Sequence, residues 1–236
     1  MLELLRGGLS ELRLGTIEQF DERIRLLSAY ASLVLEKNRV MNLTAITDEA
    51  DFARLHLLDS AALLTLADFS GHSVIDVGTG AGFPGVPLRI LCDTLDMTVL
   101  DSTGKRIEFI REACAALSIT GVHPVQGRAE EYAAAHREQY DMAVSRAVAA
   151  LPVLCELCLP LVRVGGVFLA MKSTQSDEEL KDAARAVRVL GAVHRKTSDY
   201  TIPGTDVTHR VYRFEKVSST PPRYPRSFGQ IKKKPI

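Results

Sequence analysis

The chain has 236 residues and no net formal charge, with 46% hydrophobic and 25% charged residues. This composition is typical of a soluble globular protein that buries a sizeable core. No apolar run approaches the length of a membrane span, and the N-terminus lacks the basic start and apolar block of a signal peptide. We therefore expect a cytoplasmic protein without membrane contacts.

Helical spacing of apolar residues characterises the first 70 positions. Thr16 to Gln19 has the sequence of a capping box, and apolar residues then recur at helical spacing up to Val34. A second helical stretch is predicted near 49–67, with a polar loop over 38–44 between the two. We expect these helices to form an N-terminal extension over residues 1–70.

From residue 73 onward, strand candidates alternate with helical segments. The strands are predicted at 73–77, 97–101, 122–125, 141–144 and 166–171, and the helices near 84–92, 104–118, 150–162 and 177–190. Alternating strands and helices predict an α/β fold, with a mostly parallel sheet and helices on both faces. The β-rich segments 192–200 and 208–216 lack a long helix between them and predict an antiparallel pair. This domain is expected over 71–217, followed by a basic tail over 218–236.

The run VIDVGTGAGFPG, residues 74–85, predicts a strand, a glycine-rich turn and a helix start. Glycines at alternate positions let a cofactor approach the backbone closely because no Cβ is in the way. Asp76, two residues before Gly78, disfavours a pyrophosphate but favours a cation such as the sulfonium of S-adenosylmethionine. Asp101 ends the next strand, where an acid accepts hydrogen bonds from ribose hydroxyls. The pattern favours S-adenosylmethionine over NAD, which stays open because residues 80–85 also satisfy G-x-G-x-x-G.

The cysteines indicate a reducing compartment and no metal site. Cys155 and Cys158 form a single C-x-x-C pair inside an apolar helical segment. No second pair completes a zinc site, so we interpret both residues as core thiols.

Basic residues follow two strands and dominate the C-terminus. Arg146 follows the fourth predicted strand and Lys172 the fifth, so both should reach the rim of a cofactor site and favour an anionic substrate. Residues 210–236 contain eight Lys or Arg and one acid, so they carry +7 and the remainder −7. Tyr224 and Phe228 lie among these bases, a composition typical of nucleic-acid binding. A solvated, disordered end is the alternative.

A set of motifs occurs in one order along the chain. The motifs are Asn42-Leu43-Thr44, His56 to Ser60, the glycine run 76–85, Leu100-Asp101-Ser102 with Lys105-Arg106, Ser145-Arg146-Ala147, Met171-Lys172 and Tyr224-Pro225-Arg226. Together they resemble the RsmG/GidB family, bacterial methyltransferases that modify guanine N7 in small-subunit ribosomal RNA. The resemblance spans roughly residue 38 to the end. It implies a class I (Rossmann-like) methyltransferase fold with a seven-stranded sheet and a helical N-terminal extension.

The resemblance also implies a cofactor, a partner and a set of site residues. The cofactor is S-adenosyl-L-methionine, and the partner is 16S ribosomal RNA or the small ribosomal subunit. The expected cofactor-binding residues are Asp76, Gly78, Gly80, Phe83, Asp101, Ala129, Glu130 and Arg146. The expected RNA-binding residues are Arg128, Arg146, Lys172 and Arg226, of which Arg146 and Lys172 are the expected catalytic pair.

Guanine N7 carries an in-plane lone pair, so its methylation requires no catalytic base, only close positioning of the reactants. The sequence after the fourth strand also lacks the Asn/Asp-Pro-Pro-aromatic motif of amino-group methyltransferases. His56 and Asp59 lie on one helical face and are expected to pack the N-terminal helices against the cofactor rim. We expect a monomer. The alternative functions are those of an NAD-dependent oxidoreductase and of a non-catalytic ribosome-binding module.

Overall fold

The computed structural model describes residues 1–146 and 149–236. Ala147, the last residue of one sequence motif, lies outside the described residues. The strands are β1 (Ser73–Val77), β2 (Asp96–Asp101), β3 (Val122–Gln126), β4 (Tyr140–Arg146), β5 (Val162–Ser173), β6 (Ala192–Thr201) and β7 (Thr208–Lys216). They form one sheet in the order β3-β2-β1-β4-β5-β7-β6.

The sheet is mostly parallel. Strands β1 to β5 pair in parallel, whereas β7 is antiparallel to both of its neighbours, β5 and β6. The observed strands start and end within a few residues of the predicted bounds. The predicted seven-stranded sheet and its antiparallel pair are therefore confirmed over the part of the chain that the structure describes.

Helices flank the sheet on both faces. They are α1 (Leu2–Glu11), α2 (Phe20–Met41), α3 (Glu49–Phe52), α4 (Asp59–Ala61), α5 (Gly85–Leu91), α6 (Gly104–Ala116), α7 (Ala129–Ala135), α8 (Leu151–Cys158), α9 (Asp177–Val189) and α10 (Phe228–Lys233). A π-helical segment, Ala53–Leu58, joins α3 to α4, and 3-10 turns cover Ala62–Thr65 and Leu159–Leu161.

Two hydrophobic clusters form the core, one on each face of the sheet. Alternate residues of β1 divide between them, with Val74 in the cluster beneath the N-terminal helices and Ile75 in the other. Cys155 and Cys158 of α8 are fully buried in the second cluster, which confirms their interpretation as core thiols.

The N-terminal helices differ from the sequence predictions in three ways. The capping box is wrong, because α2 begins only at Phe20 and Gln19 precedes it in a left-handed conformation without a side-chain cap. The predicted loop over 38–44 is wrong in its first half, since α2 continues to Met41. Helix α1 was not predicted, because Gly7 and Gly8 lower helix propensity. Gly8 is needed there, since a Cβ would clash with the side chain of Leu58.

Candidate active site

A cleft of about 430 Å³ opens at the carboxyl ends of β1 to β4. This volume lies within the range of small-molecule binding sites. The cleft brings together five predicted cofactor-binding residues, namely Gly78, Asp101, Ala129, Glu130 and Arg146. Two predicted RNA-binding residues also line it, Arg128 and the same Arg146. Its position at the carboxyl edge is where an open α/β sheet binds ligands.

The glycine-rich turn begins at the wall of this cleft with Gly78. Gly78, Gly80 and Gly82 all have positive φ angles of 77°, 62° and 91°, a conformation that favours glycine. The amide of Gly78 donates to the carbonyl of Leu100 at 2.8 Å, and the amide of Gly80 donates to Asp101 Oδ2 at 3.0 Å. The turn after β1 is thereby tied to the end of β2.

Asp101 holds the turn and still retains acceptor capacity. Its Oδ1 accepts from the amide of Thr103 at 2.8 Å, and Arg106 approaches Oδ2 at 3.4 Å. An ionised carboxylate offers about four lone-pair sites. Asp101 also lines the cleft, so it is placed to accept hydrogen bonds from the hydroxyls of a ligand.

Asp76 lies beneath the glycine-rich turn rather than in the wall of the cleft. Its Oδ2 accepts from Thr79 Oγ1 at 2.6 Å and from the amide of Gly85 at 2.9 Å. Its Oδ1 is buried without a hydrogen-bond partner among the described residues. Complete burial raises the pKa of this carboxyl to about 6. The carboxylate therefore braces the turn and leaves one acceptor open.

The N-terminal helices support the same turn from outside the sheet. The hydroxyl of Tyr30, on α2, donates to the carbonyl of Ala81 at 2.8 Å. A Cβ at Gly82 would clash with this hydroxyl and with the side chain of Val86. Phe83, predicted to bind the cofactor, is buried outside the cleft wall, where its ring stacks on the imidazole of His56 at 4.8 Å.

Arg146 connects the end of β4 to these helices. Its Nη1 donates to the carbonyl of Leu55 at 3.1 Å and to Asp59 Oδ2 at 2.9 Å. Its Nη2 lies 2.9 Å from Nδ1 of His56. Leu55 and His56 belong to the π-helical segment, and such wider turns are frequent at functional sites. The guanidinium is thus fixed on one side by three acceptors, while the residue also lines the cleft.

His56 is held as a neutral imidazole. Because arginine only donates, Nδ1 of His56 must accept from Arg146, and the ring proton is on Nε2. That proton is donated to Thr44 Oγ1 at 2.8 Å. Burial and the nearby Arg146 charge lower the pKa of His56 to about 4. His56 and Asp59 both contact Arg146, so they join the N-terminal helices to the cleft.

Asp59 is the centre of a buried polar cluster. Its side chain is fully buried, and Oδ1 accepts from the hydroxyl of Tyr200 and contacts His209 Nδ1, both at 2.7 Å. Burial raises the pKa of Asp59, but bonds from His209 and Arg146 outweigh it and leave the pKa below its usual value. Sequence reasoning missed Tyr200 and His209, since no local pattern links them to a residue more than 140 positions earlier.

The remaining predicted RNA-binding residues all have carboxylate partners. Arg128 Nε donates to Glu130 Oε1 at 2.6 Å on the cleft wall. Lys172 Nζ lies 2.7 Å from Glu179 Oε2 and donates to the carbonyl of Ala149 at 2.9 Å. Lys172 and Arg226 lie outside the cleft wall. Arg226 pairs with the buried carboxylate of Glu156.

Among the helices that the structure describes, none is both long and apolar enough to cross a membrane. Across 1–146 and 149–236, no group of three or more His, Cys, Asp or Glu side chains is arranged to hold a metal ion.

The family model and two similar relatives point to the same protein family. Residues 23–204 match the model of the GidB family, described as rRNA small subunit methyltransferase G. A protein named ribosomal RNA small subunit methyltransferase G from Alkaliphilus metalliredigens (strain QYMF) is 45% identical over 219 residues, 92% of each chain. Its namesake from Alkaliphilus oremlandii (strain OhILAs) is 44% identical over 237 residues, 99% of this chain and 98% of the relative.

Solved structures share the fold. TrmN from Thermus thermophilus superposes with a TM-score of 0.53 and 24% identity, over 67% of this chain and 48% of that chain. M. jannaschii TYW2, solved in complex with AdoMet, superposes with a TM-score of 0.52 and 14% identity, over 67% and 75% respectively. At these identities the likeness concerns the fold alone, and it confirms the predicted class I methyltransferase fold.

Proposed function

Because this chain belongs to the rRNA small subunit methyltransferase G family, we propose that its cleft binds S-adenosyl-L-methionine and that it methylates N7 of a guanine in 16S ribosomal RNA. Family membership confirms the resemblance seen in the sequence and favours a methyl donor over NAD. The guanine position is the one attributed to the family. The observation that carries the proposal is one cleft at the carboxyl edge lined by Gly78, Asp101, Glu130 and Arg146.

The donor set of the cleft fits this cofactor. Gly78 presents backbone without a side chain, and Asp101 retains acceptor capacity for a ribose hydroxyl beside its bonds to Gly80, Thr103 and Arg106. Glu130 and the backbone of Ala129 line the far end, where they suit an adenine ring and its amine. Asp76 Oδ1, a buried acceptor without a described partner, adds negative charge beneath the turn. When bound, S-adenosylmethionine supplies a methyl group on a positively charged sulfur.

We propose that Arg146 binds the guanine base that is methylated. Three of its donors are bound by Leu55, His56 and Asp59, which fix the plane of the guanidinium. An arginine has five N–H donors, so donors remain for guanine O6, on the base edge that arginine recognises. Holding O6 orients the N7 lone pair for attack. The contribution to rate comes from positioning and exclusion of water, not from proton transfer.

Binding of RNA phosphates by Arg128, Lys172 and Arg226 stays a prediction. Each cation has a carboxylate neighbour within 2.6–2.7 Å, so an RNA phosphate would have to share or displace that partner. Charge-assisted bonds to phosphate are strong enough for such an exchange at Arg128 and Lys172. At Arg226 a phosphate would have to share the cation, because Glu156 is fully buried and needs its partner. Lys172 is further proposed to hold Ala149 in position through its bond to that carbonyl.

The wider organisation is proposed on the same basis. Residues 1–70 form the helical extension, 71–217 the methyltransferase domain and 218–236 the basic tail. We also propose a cytoplasmic monomer that works on the small ribosomal subunit without a metal ion.

The test is methyl transfer from labelled S-adenosylmethionine to small ribosomal subunits that lack the modification, followed by digestion and nucleoside mass spectrometry. We expect 7-methylguanosine with the wild-type protein. The matched variant Arg146→Lys keeps the charge but loses the planar fork, so its product should fall by at least about tenfold. Another methylated nucleoside would overturn the N7 assignment. If folded protein that binds S-adenosylhomocysteine gives no product, the proposed RNA substrate is overturned.

A further inference from the structure

The C-terminal tail is packed against the domain by a fork of hydrogen bonds from Arg137. Nη1 of this residue donates to the carbonyl of Tyr224 at 2.6 Å. Nη2 donates to the carbonyl of Pro221 at 2.9 Å and also to that of Thr220. One side chain thereby fixes three backbone carbonyls, which sets the path of the chain from the end of β7 toward the cleft.

Arg226 and Glu156 form the second anchor of the tail. Arg226 Nε and Nη2 donate to the two carboxylate oxygens of Glu156 at 2.8 and 2.6 Å, and the amide of Arg226 donates to Oε1 at 2.9 Å. Glu156 is fully buried on α8. A buried carboxylate is destabilising unless its oxygens are bonded, so the tail in this position stabilises Glu156 on α8.

These anchors place helix α10 beside the cleft. Ile231 of α10 is fully buried in the core cluster on this face. Phe228, the first residue of the helix, lines the cleft together with Ala129, Glu130 and Leu157. The guanidinium of Arg128 lies 4.7 Å from the centre of the Phe228 ring, while its Nε bonds Glu130. The aromatic ring is therefore held at the end of the cleft where the adenine is proposed to bind.

We propose that the C-terminal tail is a cofactor-binding element, in which Phe228 forms an apolar wall of the adenosine pocket. This inference rests on the proposed function of the cleft. The flat aromatic ring of Phe228 suits the flat adenine. Arg128 and Glu130 lie beside Phe228 on the same wall of the cleft. By composition alone, Phe228 is one of two aromatic residues in a segment typical of nucleic-acid binding. Its place in the cleft instead assigns it to the methyl donor, and the exposed lysines of α10 follow it on the outer surface.

The experiment is calorimetric titration of S-adenosylhomocysteine into the full-length wild type, Phe228→Ala and Lys233→Ala. An aromatic contact of this kind predicts an affinity about tenfold weaker for Phe228→Ala. Lys233 is exposed on the same helix and outside the cleft wall, so its variant should bind the probe within about twofold of wild type. Denaturation midpoints of the three unliganded proteins show whether lost affinity merely follows lost stability.

The results distinguish failure of the tail's proposed role from failure of the proposed function. Wild-type affinity in Phe228→Ala, with the wild type binding normally, would overturn the role of the tail and leave the proposed function intact. A lower denaturation midpoint of Phe228→Ala with unchanged affinity would also overturn the role of the tail in cofactor binding, since a purely structural role gives that result. Failure of the wild type to bind the probe would overturn the proposed function itself. Should Phe228→Ala not fold, Phe228→Leu keeps most of the apolar volume and is expected to bind about threefold more weakly.

Discussion

Arg146 Nη1 donates to Asp59 Oδ2 at 2.9 Å, although the two residues are 87 positions apart in the chain. Asp59 lies at the start of α4 and is fully buried, and Arg146 ends β4 at the rim of the cleft. A buried carboxylate that loses its cation is strongly destabilising. The N-terminal helices and the arginine proposed to hold guanine are therefore linked in both stability and geometry.

Asp59→Asn tests this link. The amide keeps the size of the carboxylate but removes the charge that holds Arg146, so we expect the free energy of unfolding to fall by about 3 kcal/mol. The single-turnover rate of methyl transfer should fall by about tenfold to 100-fold, since a small displacement of a positioning group is costly. Chemical denaturation and rapid-quench assays measure the two effects.

Asp141→Asn is the matched control for Asp59→Asn. Asp141 pairs with Arg163 at the opposite end of β4, far along the sheet from the cleft. This variant should lose some stability but transfer methyl groups at the wild-type rate when folded. A wild-type rate in Asp59→Asn would show that Arg146 needs no help from the N-terminal helices.

The neutral state of His56 predicts a pH dependence of stability. The folded protein protonates this ring only near pH 4, whereas the unfolded chain does so near its ordinary value of 6.5. Between these values the unfolded chain binds more protons, so His56 makes the free energy of unfolding fall as the pH falls from 6.5 to 4. The size of this effect is up to about 3 kcal/mol.

Asp76 acts in the opposite sense, so the effect of His56 must be measured as a difference. The folded pKa of Asp76 is raised to about 6, so its contribution to stability falls as the pH rises toward 6. His56→Asn keeps an acceptor near the position of Nδ1 and leaves Asp76 unchanged. We expect the free energy of unfolding to depend less steeply on falling pH in this variant. Parallel curves from pH 4 to 6.5 would refute the neutral imidazole.

The sheet was predictable because its signals are local. Each buried parallel strand is a short apolar run, and the glycine-rich turn after β1 is a contiguous motif. The cluster around Asp59 was not predictable, since Tyr200 on β6 and His209 on β7 are more than 140 positions from Asp59 in the chain. Hydrophobic periodicity carries no information on such a long-range polar contact.

The excess of bases over residues 210–236 does not show which of these cations are available to bind a partner. Several of them form ion pairs within the protein. Arg210 pairs with Asp199, Lys216 is buried against Glu138, and Arg226 pairs with Glu156. A sequence gives the number of charges in a segment but not the partners that folding supplies.

Gly78→Val tests the assignment of the glycine-rich turn. The φ angle of Gly78 is 77°, so a branched residue strains the backbone and its side chain enters the cleft. Gly71→Val imposes the same strain at φ 70° in an exposed turn, where a Cβ meets no atom within 4 Å. We expect both variants to lose stability, but only Gly78→Val to bind S-adenosylhomocysteine at least about tenfold more weakly by calorimetry. Equal affinities would remove the glycine-rich turn from the cofactor site.

Substitutions of Lys172 and Glu179 test whether Lys172 binds RNA or has a purely structural role. If the ammonium of Lys172 contacts phosphate, Lys172→Met should weaken binding of small-subunit RNA and lower the salt dependence by about one charge. Glu179→Gln releases the ammonium from its partner at 2.7 Å, so RNA affinity should rise by about twofold to tenfold. Glu178→Gln is the control, because it removes a neighbouring exposed negative charge without releasing Lys172. An unchanged salt slope in Lys172→Met, together with equal RNA affinities of Glu179→Gln and Glu178→Gln, would confine Lys172 to holding Ala149 in place.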